Sequence, residues 1–322
     1  TLHNWPAARA SLDDALVIDP ENGAVRRARE SFALHDRYEL YIDAGYGKGD
    51  DVNYFGSRDW SINSFLYSPP IAENWRVFAH NYSASADFYG ENTSWIRTGA
   101  GAEWRWLDWR LTGEINGGSG VKAGATGTVR WQPNDHWTFY GAAESVTNQI
   151  PLRAVADGVY ASRASLGADW RVHESRKFAL AVANSDFSDG NQRNSVNGSW
   201  FERWYSSPKW MFETTLGADA SRNSLETSVN YFNPKSDRSL WLTAAVENLT
   251  WRNYDRSFRQ RLALTGGNYW QENYASGAIE AIEYGHRWEV DRDLSIRYGI
   301  GRMLRPYDGE REGRTFGNLV ML

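Results

Sequence analysis

Nine carboxylates stand where their chemistry would be attraction of cations: Asp43, Glu103, Glu114, Glu144, Asp169, Glu213, Asp219, Glu226 and Glu247. Each falls on the polar phase of a stretch in which apolar and polar residues alternate. Eight arginines share that phase, namely Arg76, Arg97, Arg105, Arg110, Arg130, Arg163, Arg171 and Arg297, so the totals nearly balance. The distribution is less even. Arg76, Arg105, Arg110, Arg130 and Arg171 lie close to short turns, whereas Glu213, Asp219, Glu226 and Glu247 form a base-poor wall expected on the eleventh to thirteenth strands. Such a wall attracts a cationic solute, although any single carboxylate can equally pair across strands and only hydrate a lumen. The faces of Glu280 and Glu283 stay open, because a bulge near Gly277 would exchange them.

Catalytic chemistry has little to build on. The six histidines, at positions 3, 35, 80, 136, 173 and 286, are scattered, and none sits in a nucleophile motif. Metal spacing of histidine with carboxylate is also missing. The absence of cysteine excludes disulfides and thiolate metal centres. No enzyme, cofactor or metal is therefore expected. A net charge of −5 and a pI near 5.8 give no electrostatic support to nucleic-acid binding.

The elements that must position these side chains are β-strands. Tyr38, Leu40, Ile42, Ala44 and Tyr46 form one apolar face, and the period of two recurs through Trp75–Ala79, Ile96–Trp104, Trp109–Ile115, Trp137–Ala143, Ala164–Trp170, Leu242–Val246 and Leu294–Ile300. Seventeen tryptophans, 17 tyrosines and 29 glycines stand beside 3 methionines, yet mean hydropathy is only −0.62. A membrane barrel has that mixture, since alternate residues of each strand face lipid and the others face water. No apolar run approaches the roughly 18 residues of a membrane helix. Thr1–Trp5 lacks the features of a leader, so a mature piece of a longer chain is expected.

Short turns alternate with long polar loops. The turns are read at Gln132–Asp135, Val172–Arg176, Ser206–Lys209, Asn233–Arg238 and Glu289–Asp293, and the loops near 48–56, 87–93, 146–158, 184–193, 248–273 and 304–313. Tryptophans flank the turns, as Trp131 and Trp137 or Trp204 and Trp210 do. Indole rings settle at the lipid headgroup level, so these turns mark one rim. Both chain ends should share that rim, which requires an even strand number. Seventeen segments read as strands, including Leu225–Tyr231. The weakest is Ser257–Leu264, which is assigned to the 248–273 loop as a short helix. Sixteen strands remain, enough to enclose an aqueous channel. Whether that loop plugs it stays open.

Residues 1–36 differ. Ala7, Ala8, Leu12, Ala15 and Leu16 recur at helical spacing, Asp19-Pro20 stops that helix, and Asn22 is placed to cap a second. The pattern reads as the end of a tetratricopeptide-like repeat preceding a barrel over 37–322.

Helices joined by Asp19-Pro20-Glu21-Asn22 ahead of such a barrel, the aromatic turn flanks, and the stretch Trp251-Arg252-Asn253-Tyr254-Asp255 through Leu262-Ala263-Leu264-Thr265-Gly266-Gly267-Asn268-Tyr269-Trp270 resemble the PgaA family. Its members are outer-membrane exporters of the biofilm polysaccharide poly-β-1,6-N-acetyl-D-glucosamine, and the chain resembles their C-terminal part. The resemblance implies passive export of the partly de-N-acetylated polymer, whose cationic amines suit acidic walls. It also implies sugar stacking on Tyr41, Phe78, Tyr82 and Trp241, and a repeat segment that recruits the polymer or a periplasmic deacetylase. One departure is Leu322, where many barrels end on an aromatic residue. Other readings are a cellulose exporter, a diffusion porin, or a barrel that only anchors a periplasmic scaffold.

Overall fold

The computed structural model describes residues 4–50, 58–88, 91–118, 121–225, 229–273, 275–307 and 310–322. Two helices come first, α1 (Trp5–Ile18) and α2 (Gly23–Ala33). Asn22 caps α2 by accepting from the backbone N–H groups of Ala24 and Val25, the role its position before the second helix predicts. Strands follow as β1 (Glu39–Gly49), β2 (Arg58–Tyr67), β3 (Trp75–Phe88), β4 (Glu91–Trp106), β5 (Trp109–Gly118), β6 (Val121–Trp131) and β7 (Trp137–Glu144). After the short helix α3 (Leu152–Ala156) come β8 (Ala161–His173), β9 (Arg176–Phe187), β10 (Gln192–Ser206), β11 (Trp210–Asn223) and β12 (Ser236–Asn253). The last four are β13 (Arg256–Gln271), β14 (Gly277–Glu289), β15 (Ser295–Tyr307) and β16 (Glu310–Met321).

Every strand pairs antiparallel with its sequence neighbours, and β1 closes the barrel on β16 through Ile42↔Met321 to Gly49↔Arg314. The outer wall exposes Leu40, Ile62, Val77, Ile96, Ile115, Leu180, Leu242 and Ile300. Solvent exposure of so many large apolar side chains is untenable in water and natural in lipid. At one rim a belt of rings runs across six strands. Trp109 stacks on Trp131 at 5.3 Å, Trp131 on Phe139 at 5.4 Å, Trp137 on Trp170 at 5.8 Å, Trp170 on Phe178 at 5.5 Å, and Phe178 on Trp200 at 6.0 Å. This turn rim also carries both chain ends.

Sixteen strands are present, but two of the expected assignments are corrected and their errors cancel. Ser257–Leu264 belongs to β13, with Phe258↔Trp288 and Leu262↔Tyr284 paired to β14. Its arginines face water inside the barrel, while Leu262 and Leu264 face out. The long 248–273 loop therefore does not exist; only Tyr254 and Asp255 separate β12 from β13, and Tyr254 turns the chain with φ 52°. In return, of the expected strand at 225–231 the middle residues 226–228 lie outside the described residues, and the described ones, 225 and 229–231, form no strand. They lie between β11 and β12, where Tyr231 is buried against Phe187, and Asn233–Arg238 is no turn of the turn rim. Several other expected loops are shorter, since β9 runs to Phe187 and β15 to Tyr307. Strands continue beyond the hydrocarbon layer, where alternation fades because both faces meet water.

The helices dock under the turn rim. Arg9 binds Asp36 at 2.9 Å and Glu73 at 2.7 Å, Arg37 binds Asp293 at 2.8 Å, and Arg292 binds Glu30 at 2.8 Å. His35 stacks on Trp5 at 3.7 Å, and its carbonyl accepts from Arg76 at 3.0 Å. Burial and then the Arg76 charge hold the His35 ring below the ordinary histidine pKa; Arg105 adds to this, and Asp36 and Glu73 oppose it. A depressed histidine pKa means that undocking takes up a proton. Docking is therefore complete above the ordinary value of about 6.5 and weakens as pH falls below it. Protease cleavage within residues 5–33 should accelerate between pH 7.5 and pH 5.5 in the wild type, and a His35→Gln variant should lose that pH dependence; equal cleavage of wild type at both pH values would contradict this.

Candidate functional site

The lumen divides into a filled wall and an open one. On the filled side, inward aromatics pack on one another: Phe65 lies 4.0 Å from the His80 ring and 5.8 Å from Phe78, and Tyr41 lies 6.4 Å from Phe65. Buried carboxylates tie this wall together. Glu103 (2% exposed) meets Arg105 and Arg110, the latter at 3.6 Å. Glu114 accepts from Asn116 at 2.9 Å and lies 2.8 Å from His80 Nδ1. Isolated charges could not remain here; paired ones can.

Nearer the other rim, which we call the loop rim, residues 145–160 turn inward. Val146, Ile150 and Ala154 are buried with Trp95, Ala161, Phe187 and Tyr231, and Tyr82 packs against them. Arg97 anchors the segment, donating to the Val146 carbonyl at 2.6 Å and to Asn148 Oδ1 at 2.9 Å, and also to Asn116. The inward constriction is thus made by the loop after β7.

Open space follows β10 to β15. A cavity of about 1300 Å³ at the turn rim is lined by Glu213, Glu247, Arg259, Arg261, Glu283 and Arg297, with Arg27, Ser31 and Leu34 of α2. A second, of about 660 Å³ nearer the loop rim, is lined by Arg193, Asp219, Asp237, Trp241, Tyr269 and Arg305. Trp241 lies flat across β11: a Cβ built on Gly217, its cross-strand partner, would meet the ring at 2.2 Å. Glycine is required there because the ring occupies the place of a side chain. The indole N–H donates to Asp219 Oδ2 at 3.2 Å, and Ser239 Oγ donates to the same oxygen at 3.0 Å. A flat aromatic face thus borders an accessible carboxylate.

The register puts Asp43, Glu103, Glu114, Glu144, Asp169, Glu213, Asp219 and Glu247 on the inner phase of their strands. Glu226 lies outside the described residues. The wall of β11 to β13 is not base-poor, however. Glu213 is 3.9 Å from Arg203 and 3.7 Å from Arg261, and Glu247 is 2.8 Å from Arg259. Arg259 and Arg261 are not among the expected inward arginines because their strand reads in the sequence as a short helix in a loop. Glu103 and Glu114 are buried in the filled wall, and Asp169 lies 3.5 Å from Lys177. Asp43 and Asp219 are both exposed and Glu144 is half-buried, and among the described residues none of the three forms an ion pair; Asp219 is the one that lines the loop-rim cavity. Glu283 faces the turn-rim cavity and accepts from Asn318 at 3.2 Å.

Of the four ring candidates, Phe78 is 4% exposed and offers no face to a ligand. Tyr82 is committed to the constriction, and Tyr41 packs beside Phe65. Trp241 alone of the four lines an open cavity. Two further rings were missed, Tyr140 over Gly167 and Phe316 over Gly301, each at under 2.5 Å from a built Cβ. The available signal was an inward glycine directly across from an inward aromatic. Among the described residues no cluster of His, Asp and Glu could hold a metal ion.

Known proteins share this architecture. The poly-beta-1,6-N-acetyl-D-glucosamine export proteins of Escherichia coli K12 and of Escherichia coli O157:H7 are each 29% identical over 327 residues, covering 98% of this chain. The chain spans 39% of the length of those relatives. A solved bacterial polysaccharide outer membrane secretin superposes with a TM-score of 0.80 at 27% identity, over 89% of this chain and 98% of that one. The model of the PgaA membrane beta barrel domain matches residues 34–319. A closed sixteen-strand wall with a lipid-facing exterior and that match over most of its length make this chain an outer-membrane barrel belonging to the PgaA family.

Proposed function

We propose that the barrel is the passive outer-membrane conduit for partly de-N-acetylated poly-β-1,6-N-acetylglucosamine. The observation that carries this reading is the pairing of Trp241 with Asp219 in the open half of the lumen. A pyranose ring has an apolar face that stacks on a flat indole, and a glucosamine ammonium beside it would meet the Asp219 carboxylate. Export-protein relatives and membership of the family support the same polymer. The turn rim faces the periplasm in this reading, because chain ends and short turns lie there in barrels of this kind. The helices α1 and α2 are the last repeat of a tetratricopeptide-like array in the periplasm, which presents the polymer, or the deacetylase that modifies it, to the turn-rim cavity. Val17 and Ile18 at the end of α1 are more than four-fifths exposed, as expected of a repeat that stacks on neighbours. Transport needs no chemistry from the barrel, which acts here as a non-enzyme.

The test is a polymer-secretion assay in cells that depend on this protein, combined with ion selectivity of the purified barrel. The wild type should prefer cations, and neutral amides at Glu213, Asp219, Glu226 and Glu247 together should abolish that preference. Since Arg203, Arg259 and Arg261 would then lose their partners, the variant should move toward anion preference. Export should fall in the same variant with synthesis intact. Anion preference in the wild type would sink the cationic-polymer reading, and undiminished export without the protein would sink the export reading.

A further inference from the structure

On the lipid-facing wall the strand register lines up two cross-strand rows. The first runs Val129, Gly141, Leu166, Val182, Val196, Ala220 and ends on Arg238; the second, one step nearer the loop rim, runs Gly127, Ala143, Ala164, Asn184, Asn194 and ends on Arg222. Small residues at the start of both rows leave an apolar groove of about 1010 Å³ on the outside of the barrel. A Cβ at Gly127 would meet nothing within 4 Å, so the groove floor is open space.

Its far end is cationic. Arg222 faces Ser236 and Arg238 faces Ala220 across β11 and β12, which sets the two guanidinium groups diagonally on one face. Both side chains are exposed. Among the described residues neither forms an ion pair, and Arg238 lies over the Trp270 ring at 5.4 Å. The nearby carboxylate Glu272 is occupied by Ser236 and Lys235, and Asp186 lies two strands from Arg222 on β9.

From Val129 to Ala220 the row crosses five strand spacings, about 24 Å at about 4.8 Å each. Strands tilted by about 40° incline the row equally to the membrane plane, so it rises about 15 Å toward the loop rim. It starts just above the tryptophan belt, and Arg222, twelve residues up β11 from the turn-flanking Trp210 at about 3.3 Å each and the same tilt, stands about 30 Å above the turn rim, at the height where headgroups of the outer leaflet lie.

We infer that this groove is a binding site for a phosphorylated lipid of the outer leaflet, an acyl chain lying along the rows and a headgroup phosphate held between Arg222 and Arg238. Paired guanidiniums suit a phosphate geometrically as well as electrostatically, and the row delivers the chain to them. The site is independent of what passes through the lumen.

The experiment is titration of the purified full chain with diphosphoryl lipid A by native mass spectrometry, with inorganic phosphate and phosphatidylcholine as competitors. One saturable adduct should form. Arg222→Ala with Arg238→Ala should weaken it at least about tenfold. Gly127→Leu, which fills the groove without a clash at Cβ, should weaken it similarly while leaving the heat-modified gel mobility of the folded barrel unchanged. Wild-type affinity in both variants, displacement by phosphatidylcholine, or adducts without saturation would each overturn the site. Displacement by inorganic phosphate at equimolar concentration would overturn the lipid by showing a simple anion site.

Discussion

Arg97→Ala is expected to release residues 145–160 from the lumen wall and raise the single-channel conductance of the purified barrel. Arg97 is 3% exposed, and its guanidinium holds the inward segment through the Val146 carbonyl and Asn148, while bracing itself on Asn116. Each hydrogen bond from a charged donor contributes about 1.5–3 kcal/mol. Losing both bonds to the segment removes several kcal/mol, enough to shift a closed-to-open ratio by about a hundredfold or more. The apolar contacts of Val146, Ile150 and Ala154 remain, so the loop should become mobile rather than unfold. Hydrogen exchange at Val146–Ala156 should accelerate together with the rise in conductance. Arg97→Lys, which keeps the charge but loses the fork, should fall between wild type and alanine. Unchanged conductance with accelerated exchange would show that the segment does not limit the channel.

Much of the barrel was legible because lipid imposes the simplest rule that a strand can obey. Where the outer face meets hydrocarbon, as at Val77, Leu111 or Leu180, apolar residues at every second position fix both the strand and its inner face. Outside that band the rule lapses. Leu225, Val229 and Tyr231 look like a strand face, but Val229 and Tyr231 pack into the constriction, since a loop folded into a lumen buries apolar residues as a strand does. Arg259 and Arg261 made a true strand look helical, because arginines facing a watery interior cost nothing and need only Glu247 and Glu213 nearby.

The candidate site was legible in part for the same reason. Period two told which carboxylates face inward, yet it could not tell an open acid from a neutralised one. Glu103 and Asp219 share a phase, but one is buried between Arg105 and Arg110 and the other borders a cavity. That difference arises from contacts across strands and from the inward loop, which local spacing does not encode. Phe78 and Trp241 make the same point. Both lie flat over a glycine of the adjacent strand, Gly101 and Gly217, and only the loop and the filled wall decide which ring keeps a free face.

In the export function proposed above, Trp241 and Asp219 form a station for a cationic sugar on the way through the lumen. The direct measurement is block of single-channel current by glucosamine oligomers, compared with fully N-acetylated oligomers of the same length. In the wild type the oligomers with free amines should block at lower concentration. Trp241→Ala should raise the blocking concentration of both kinds roughly tenfold, since it removes an aromatic anchor. Asp219→Asn should raise it for the amine-bearing oligomers and leave the acetylated ones unchanged, because only the charge differs. Equal block by both kinds of oligomer in the wild type, with neither substitution altering it, would contradict a sugar station at Trp241 and Asp219.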